Sequence, residues 1–200
     1  MKKILVRSWM PVVASILLAF TISACSMINE KRAEGMLEQG LSFQTSGETS
    51  SALEAFSEAI SLHPEYREAY AARGELYYEQ QDWQKAQADF DKALLINPDD
   101  SQLQYLAGLI AIQLEQKDKA VTHLDQALTL AADNADAYFQ RALIYIEQDE
   151  PGRALADLDK SLSIQADHLG ALLHRGKLNF QNEAFDQALA DFNQAVQIDP

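Results

Sequence analysis

The chain holds a single cysteine, Cys25, so it has no cysteine pair with which to build a zinc ribbon or a thiol redox motif. Cations are also scarce: 16 Lys and Arg stand against 30 Asp and Glu, a formal net charge of −14 at pH 7. That sign repels phosphates, which argues against nucleic acid as a partner and leaves no electrostatic attraction to anionic lipid heads. No segment alternates apolar and polar residues with a period of two, so no strand is predicted. Glycine loops that cradle phosphate, His-Glu-x-x-His and Gly-x-Ser-x-Gly are all missing, and with them the usual marks of nucleotide, zinc and nucleophile chemistry. His63, His123, His168 and His174 occupy four different places of the repeat described next, whereas metal ligands have to converge on one face. His168 and His174 come near each other only across a turn, and all four read as surface histidines. Carboxylates are too abundant for any pair to stand out as general acid and base. The expectation is a protein that is not an enzyme and uses no cofactor or metal.

What the chain does have is a pattern that recurs every 34 residues from Ala33 onward. Each copy places small residues 12 apart: Gly40 and Ala52, Gly74 and Ala86, Gly108 and Ala120, Ala142 and Ala154, Gly176 and Ala188. Small side chains on either side of a short polar turn let two antiparallel helices cross closely. Within the copy from Arg67 to Asp100, Tyr70, Leu76 and Tyr77 and then Ala86, Phe90, Ala93 and Leu94 fall at the three- and four-residue spacings of amphipathic helices. Asp82 is placed to cap the second helix, and Pro151 suits the first turn of its own. Asn97-Pro98 and Asp199-Pro200 close helices, because proline restricts the residue before it. A unit that cannot bury its own apolar face buries it on the next, which predicts an all-α solenoid. The acids of the second helices, such as Asp89, Asp91, Asp157 and Asp159, read most simply as a solvated face.

The copy from Arg67 resembles the tetratricopeptide repeat, with Tyr70, Gly74, Tyr77, Ala86, Phe90, Ala93 and Pro98 at that family's signature places. The copy from Ala33 keeps Gly40, Phe43, Ala52, Phe56, Ala59 and Pro64. The third is weaker, with Ala111 and Ala132 where an aromatic and a proline are expected. The fourth has Ala142 for the glycine and Ser161 for the last alanine, and the fifth has Asn179 at an aromatic place. The resemblance implies about five helical hairpins, residues 33–66, 67–100, 101–134, 135–168 and 169–200, wound as a right-handed superhelix.

The N-terminus reads as a secretory signal over residues 1–24: Lys2, Lys3 and Arg7 make a basic start, and an apolar run from Pro11 to Ala24 ends in small residues. Ile22-Ser23-Ala24-Cys25 resembles a bacterial lipobox, which implies a diacylglycerol on Cys25 and cleavage before it. Thioether formation would also remove an unpaired thiol from an oxidising compartment. Two other readings compete. Ile4 to Ala24 nearly reaches the roughly 20 residues that span a bilayer, although Arg7 interrupts it; alternatively a plain signal peptide is cut elsewhere. Ser26 after the cysteine resembles the default for delivery to the outer membrane. Without the signal the chain carries 13 cations and 30 acids, and 13 minus 30 is −17. Residues 25–32 then form the lipidated N-terminus and a short linker, with Ser26 to Arg32 spanning at most about 25 Å when extended.

In tetratricopeptide proteins the first helix of each hairpin lines a concave groove, through places 2, 5, 9 and 12. Carried over, this resemblance implies a binding surface made by Tyr78, Tyr105, Leu109, Phe139, Leu143, Ile146, Leu173, Lys177 and Phe180, with Glu68, Glu75, Ile112, Asp136 and Gly170 among the remaining places. Such a stripe is apolar and aromatic and suits an amphipathic helix or an extended apolar segment. Tyr78, Tyr105, Phe139 and Phe180 are expected to be the accessible anchors, and Leu109, Leu143 and Leu173 are read equally well as core. Lys177 is the only residue of the kind that clamps a terminal carboxylate in some relatives, so that mode is disfavoured. The chain stops at the closing proline of the fifth repeat, where Val196 and Ile198 are expected to be partly bare and to favour self-association. The whole reads as an envelope adaptor that binds a partner protein or apolar peptide at the periplasmic face of the outer membrane. Its sharper versions resemble lipoproteins that assist type IV pilus or secretin assembly, or that recruit peptidoglycan hydrolases.

Overall fold

The computed structural model describes residues 10–199, with side chains from Ser26 onward. Lys2, Lys3, Arg7, the side chains of the apolar run and of Cys25, and Pro200 lie outside the described residues, as do the signal and acylation readings that depend on them. Ten helices follow one another: α1 Met10–Ser46, α2 Thr49–Leu62, α3 Arg67–Glu79, α4 Trp83–Ile96, α5 Ser101–Gln113, α6 Lys117–Leu130, α7 Ala135–Glu147, α8 Pro151–Ile164, α9 Leu169–Gln181 and α10 Phe185–Ile198. No strand occurs among the described residues. Each odd-numbered helix packs on the even one that follows, and each even one packs on the next odd one, so contacts run between neighbours along a stack. Ser26–Arg32 continues α1 as helix rather than forming a separate linker, which shortens its reach to about 10 Å at 1.5 Å per residue. Among the described residues no helix is long and apolar enough to cross a membrane.

The glycine at place 8 faces the large residue at place 24 of its own hairpin. A Cβ on Gly74 would lie 2.5 Å from the Phe90 ring, and one on Gly176 would lie 2.7 Å from Phe192; Gly40 is as tight against Phe56. Where place 24 is Leu124 the same test on Gly108 gives 3.0 Å. In the fourth hairpin, where place 24 is Leu158, an alanine is accommodated and Ala142 is fully buried in the same cluster. Phe56, Phe90, Leu124 and Leu158 are fully buried, so this contact forms the centre of the first four hairpins, while Phe192 of the fifth is half-buried.

The turns are closed by residues in the left-handed region, Gln81, Glu115, Asp149 and Glu183 at φ near 60° and Gly47 at 79°, again 34 apart. Around Gln81 the following amide, Asp82 N–H, donates to Tyr77 O at 2.9 Å, and Gln81 N–H donates to Tyr78 O at 2.9 Å, and the other turns repeat this pair of bonds. It satisfies the last carbonyls of each first helix. Four of the five positions are not glycine, which costs roughly 1 kcal/mol each and is tolerated because the stack fixes the turn. Asp82 caps α4 through the Lys85 amide at 3.4 Å, and Pro151 begins α8.

The reading of the second-helix acids as a solvated face fails for three of them. Asp89, Asp157 and Asp191 are only 5, 6 and 4 % exposed. Each accepts two bonds from an arginine of its own hairpin: Arg73 on Asp89 at 2.7 and 2.8 Å, Arg141 on Asp157 at 2.7 and 2.7 Å, Arg175 on Asp191 at 3.0 and 2.6 Å. The third guanidinium nitrogen of each crosses to the preceding hairpin, reaching Ser57, Asp125 and Asp159 at 2.9, 2.6 and 2.8 Å. Hydrogen bonding to the aspartate raises each arginine's pKa against the opposing effect of burial. These bidentate pairs tie hairpin to hairpin. The third hairpin replaces both partners, with Ala107 and His123, and His123 Nδ1 lies 2.8 Å from Oε1 of buried Gln104. Burial holds the His123 pKa below its ordinary value.

Ser161 stands where the other hairpins carry alanine, fully buried with its hydroxyl unpartnered. Ser161→Ala is therefore expected to stabilise the fold by about 1 to 3 kcal/mol, as urea unfolding would register.

At the C-terminal end Val196 is 62 % exposed, whereas its equivalents Leu94, Leu128 and Leu162 are 7 to 8 % exposed beneath the helix that follows them. Ile198 has a different cause. Its exposure, 41 %, matches that of Ile96, Leu130 and Ile164, so this place faces solvent in the second to fifth hairpins, whereas Leu62 of the first is half-buried.

Candidate partner-binding groove

The residues placed on the groove by the sequence come from α3, α5, α7 and α9, and none of them is fully buried. Tyr78 is half-buried, edge-on to Trp83 with ring centroids 5.4 Å apart. Tyr105 is half-buried too, and its hydroxyl pKa is pushed up to about 12 by burial, with Asp136 and Tyr78 adding to the effect. Ile112 and Leu143 share the wall of a cleft of about 490 Å³ with Gln140 and Ile144. Lys117 and Glu147, paired at 2.9 Å, stand on its rim. Leu109 and Ile146 are half-buried, Ile146 against the core cluster of the fourth and fifth hairpins. Leu173, Lys177 and Phe180 of α9 are exposed, and Phe180, at 59 %, meets Phe185 edge-on at 5.5 Å.

Of the four anchors expected to be accessible, only Phe180 is open to solvent. Phe139 is half-buried because Gly170, at the start of α9, has no side chain: a Cβ there would sit 2.7 Å from the ring. The ring lies on α9 between His168 and His174, with centroids 4.6 and 5.7 Å away. His168 caps α9, its Nδ1 accepting from the Ala171 amide at 3.1 Å. The proton therefore sits on Nε2, which donates to Asp136 at 3.1 Å. His174 has its pKa lowered by burial and by Lys177. Among the described residues no three metal-ligating side chains converge. The surface offers apolar area, aromatic edges and a few charges, which is what recognition of a polypeptide uses.

The sequence profile described as tetratricopeptide repeat matches residues 37–102, 105–168 and 139–200. The chain belongs to the tetratricopeptide repeat family. Tetratricopeptide domains are scaffolds that bind protein or peptide partners, and this chain has that scaffold. Comparison with curated protein sequences gives no match. Among solved structures it is similar to the MamA protein, with 21% identity, a TM-score of 0.78 and coverage of 84% of this chain and 92% of that one. It is similar also to YrrB, described as a TPR protein with an unusual peptide-binding site, with 23% identity, a TM-score of 0.75 and coverage of 82% and 85%. PilF of Pseudomonas aeruginosa is similar at 17% identity and a TM-score of 0.70, over 86% of this chain and 78% of that one. At these identities the likeness is one of tetratricopeptide fold.

The sequence did not single out the Arg–Asp pairs or the capping role of His168. Arg and Asp occupy places 7 and 23 together in the second, fourth and fifth hairpins and are both absent from the first and third, and that joint pattern was the available signal.

Proposed function

We propose that this protein is a lipid-anchored adaptor of the bacterial envelope that holds an apolar segment of a partner protein along the groove formed by α3, α5, α7 and α9. The observation that carries the reading is the row of half-buried apolar side chains from Tyr78 to Ile146 that ends in the exposed Leu173 and Phe180. Aromatic side chains in such a row supply large contact area at low entropic cost. Anchoring through Cys25 would hold adaptor and client at one surface and raise their effective concentration, so even a micromolar groove would be occupied. The peptide-binding site named for YrrB agrees with a polypeptide-binding role; sharper versions of the reading are an assembly factor for type IV pili or secretins and a recruiter of peptidoglycan hydrolases.

Two measurements test the reading. A photoreactive residue at Phe180 should trap a defined client in intact cells, and one at exposed Thr129 on α6 should not; Phe180→Glu with Leu173→Glu should abolish function while helical circular dichroism is kept. Equal trapping at both positions would remove the groove as the site. Cys25→Ser should move the protein from the membrane to the soluble fraction, and continued sedimentation with membranes would refute the lipid anchor.

A further inference from the structure

We propose that the groove is electrically graded and thereby fixes the direction of a bound segment, taking the cationic end of a partner polypeptide over α3 and its anionic end over α9. The inference rests on the groove reading above and adds the charge pattern of its occupant. Several charges along the groove are engaged within the chain: Arg67 is shared between Glu68 at 3.3 Å and Asp100 at 2.8 Å, Lys117 pairs with Glu147 at 2.9 Å, and Asp136 accepts a hydrogen bond from the neutral His168 at 3.1 Å. Glu75 and Glu79 on α3 and Lys177 on α9 make no ion pair among the described residues, and all three are exposed.

Glu75 and Glu79 lie four residues apart on one helix face, where like charges repel. Glu79 is also the last residue of α3, at the negative end of the helix dipole, so both effects favour a cation brought in from outside. At the other end Lys177 is flanked by exposed Leu173 and Phe180, and its charge joins burial in lowering the pKa of His174. Between the two ends the row Tyr78, Tyr105, Leu109, Leu143 carries no charge. An apolar segment that carries Lys or Arg at one end and Asp or Glu side chains at the other therefore meets complementary charge in one orientation and like charge at both ends in the other. At 8–10 Å between packed helices, three hairpin steps come to about 30 Å, or about nine extended residues.

The probe is a synthetic peptide of nine apolar and small residues with Lys-Lys at one end and Asp-Asp at the other, carrying a benzophenone next to the lysines. Crosslinks to the full chain are expected within residues 67–79 and not within 169–181. Glu75→Gln with Glu79→Gln should weaken binding between about twofold and tenfold, and the loss should shrink at high salt. Reversing the field with Glu75→Lys, Glu79→Lys and Lys177→Glu should move the crosslink to 169–181. A crosslink shared between both ends, or one that stays in place after reversal, overturns the grading while leaving the groove as the site. Binding that survives Phe180→Glu with Leu173→Glu locates the peptide elsewhere and overturns both readings.

Discussion

Arg141→Ala is expected to lower the unfolding free energy by about 3 to 5 kcal/mol, because it strands the buried Asp157 carboxylate without its partner. The arginine side chain is 17 % and the aspartate side chain 8 % exposed, and the pair is bidentate with both bonds at 2.7 Å. Its remaining nitrogen bonds to Asp125 of the preceding hairpin at 2.6 Å, so the variant also loosens the junction between the third and fourth hairpins. Lysine should not replace it, since a point charge cannot span two aspartates in a fork geometry. The chain itself indicates the rescue. Both partners are absent together from the first hairpin, which has Gln39 and Ala55, and from the third, which has Ala107 and His123. Arg141→Met with Asp157→Leu should therefore be less damaging than either single change, with a coupling of about 1 to 3 kcal/mol in a urea double-mutant cycle. Additive losses would mean that the pair contributes nothing as a unit.

These pairs also mark where sequence reading stops. Helix order and the stacking of hairpins follow from a spacing that any one copy displays, so α3 to α10 start where the periodicity puts them. Charged residues are almost always exposed unless paired, and the pairing here joins places 7 and 23 on different helices, so Asp157 looked like a surface residue. The turns hid for a related reason: only Gly47 has the residue type that a left-handed position favours, and elsewhere the fold holds Gln, Glu and Asp there. On the groove, the accessibility of a side chain depends on the next hairpin. Phe139 appeared free because its own helix does not need it, and it is Gly170, 31 positions later, that lets it lie down. Phe180 has no such neighbour among the described residues. The same dependence holds for Leu94, Leu128 and Leu162, which are buried by the helix of the next hairpin.

Gly74→Leu is expected to destabilise the fold by at least the 1 to 3 kcal/mol typical of overpacking, and Gly74→Ala is the sharper test of the same contact. Alanine improves helix propensity by about 1 kcal/mol over glycine, so on an open helix face the change would stabilise. Here the added carbon would lie 2.5 Å from the Phe90 ring and 3.2 Å from Asp89 Cβ, and the ring is fully buried with nowhere to retreat. Asp89 is moreover held by Arg73, so a shift of α4 to relieve the clash would stretch a buried ion pair. The net effect should be destabilising. Shrinking the ring should reverse the sign of the alanine substitution: in a Phe90→Leu background the second hairpin acquires the pairing that the fourth already uses, Ala142 with Leu158. Phe90→Leu alone should cost stability through the space it leaves, and adding Gly74→Ala should return part of that loss by filling it. Chemical denaturation of the four variants decides the matter. A Gly74→Ala that stabilises equally in both backgrounds would show that the helices separate freely and that place 8 is small for some reason other than the ring opposite.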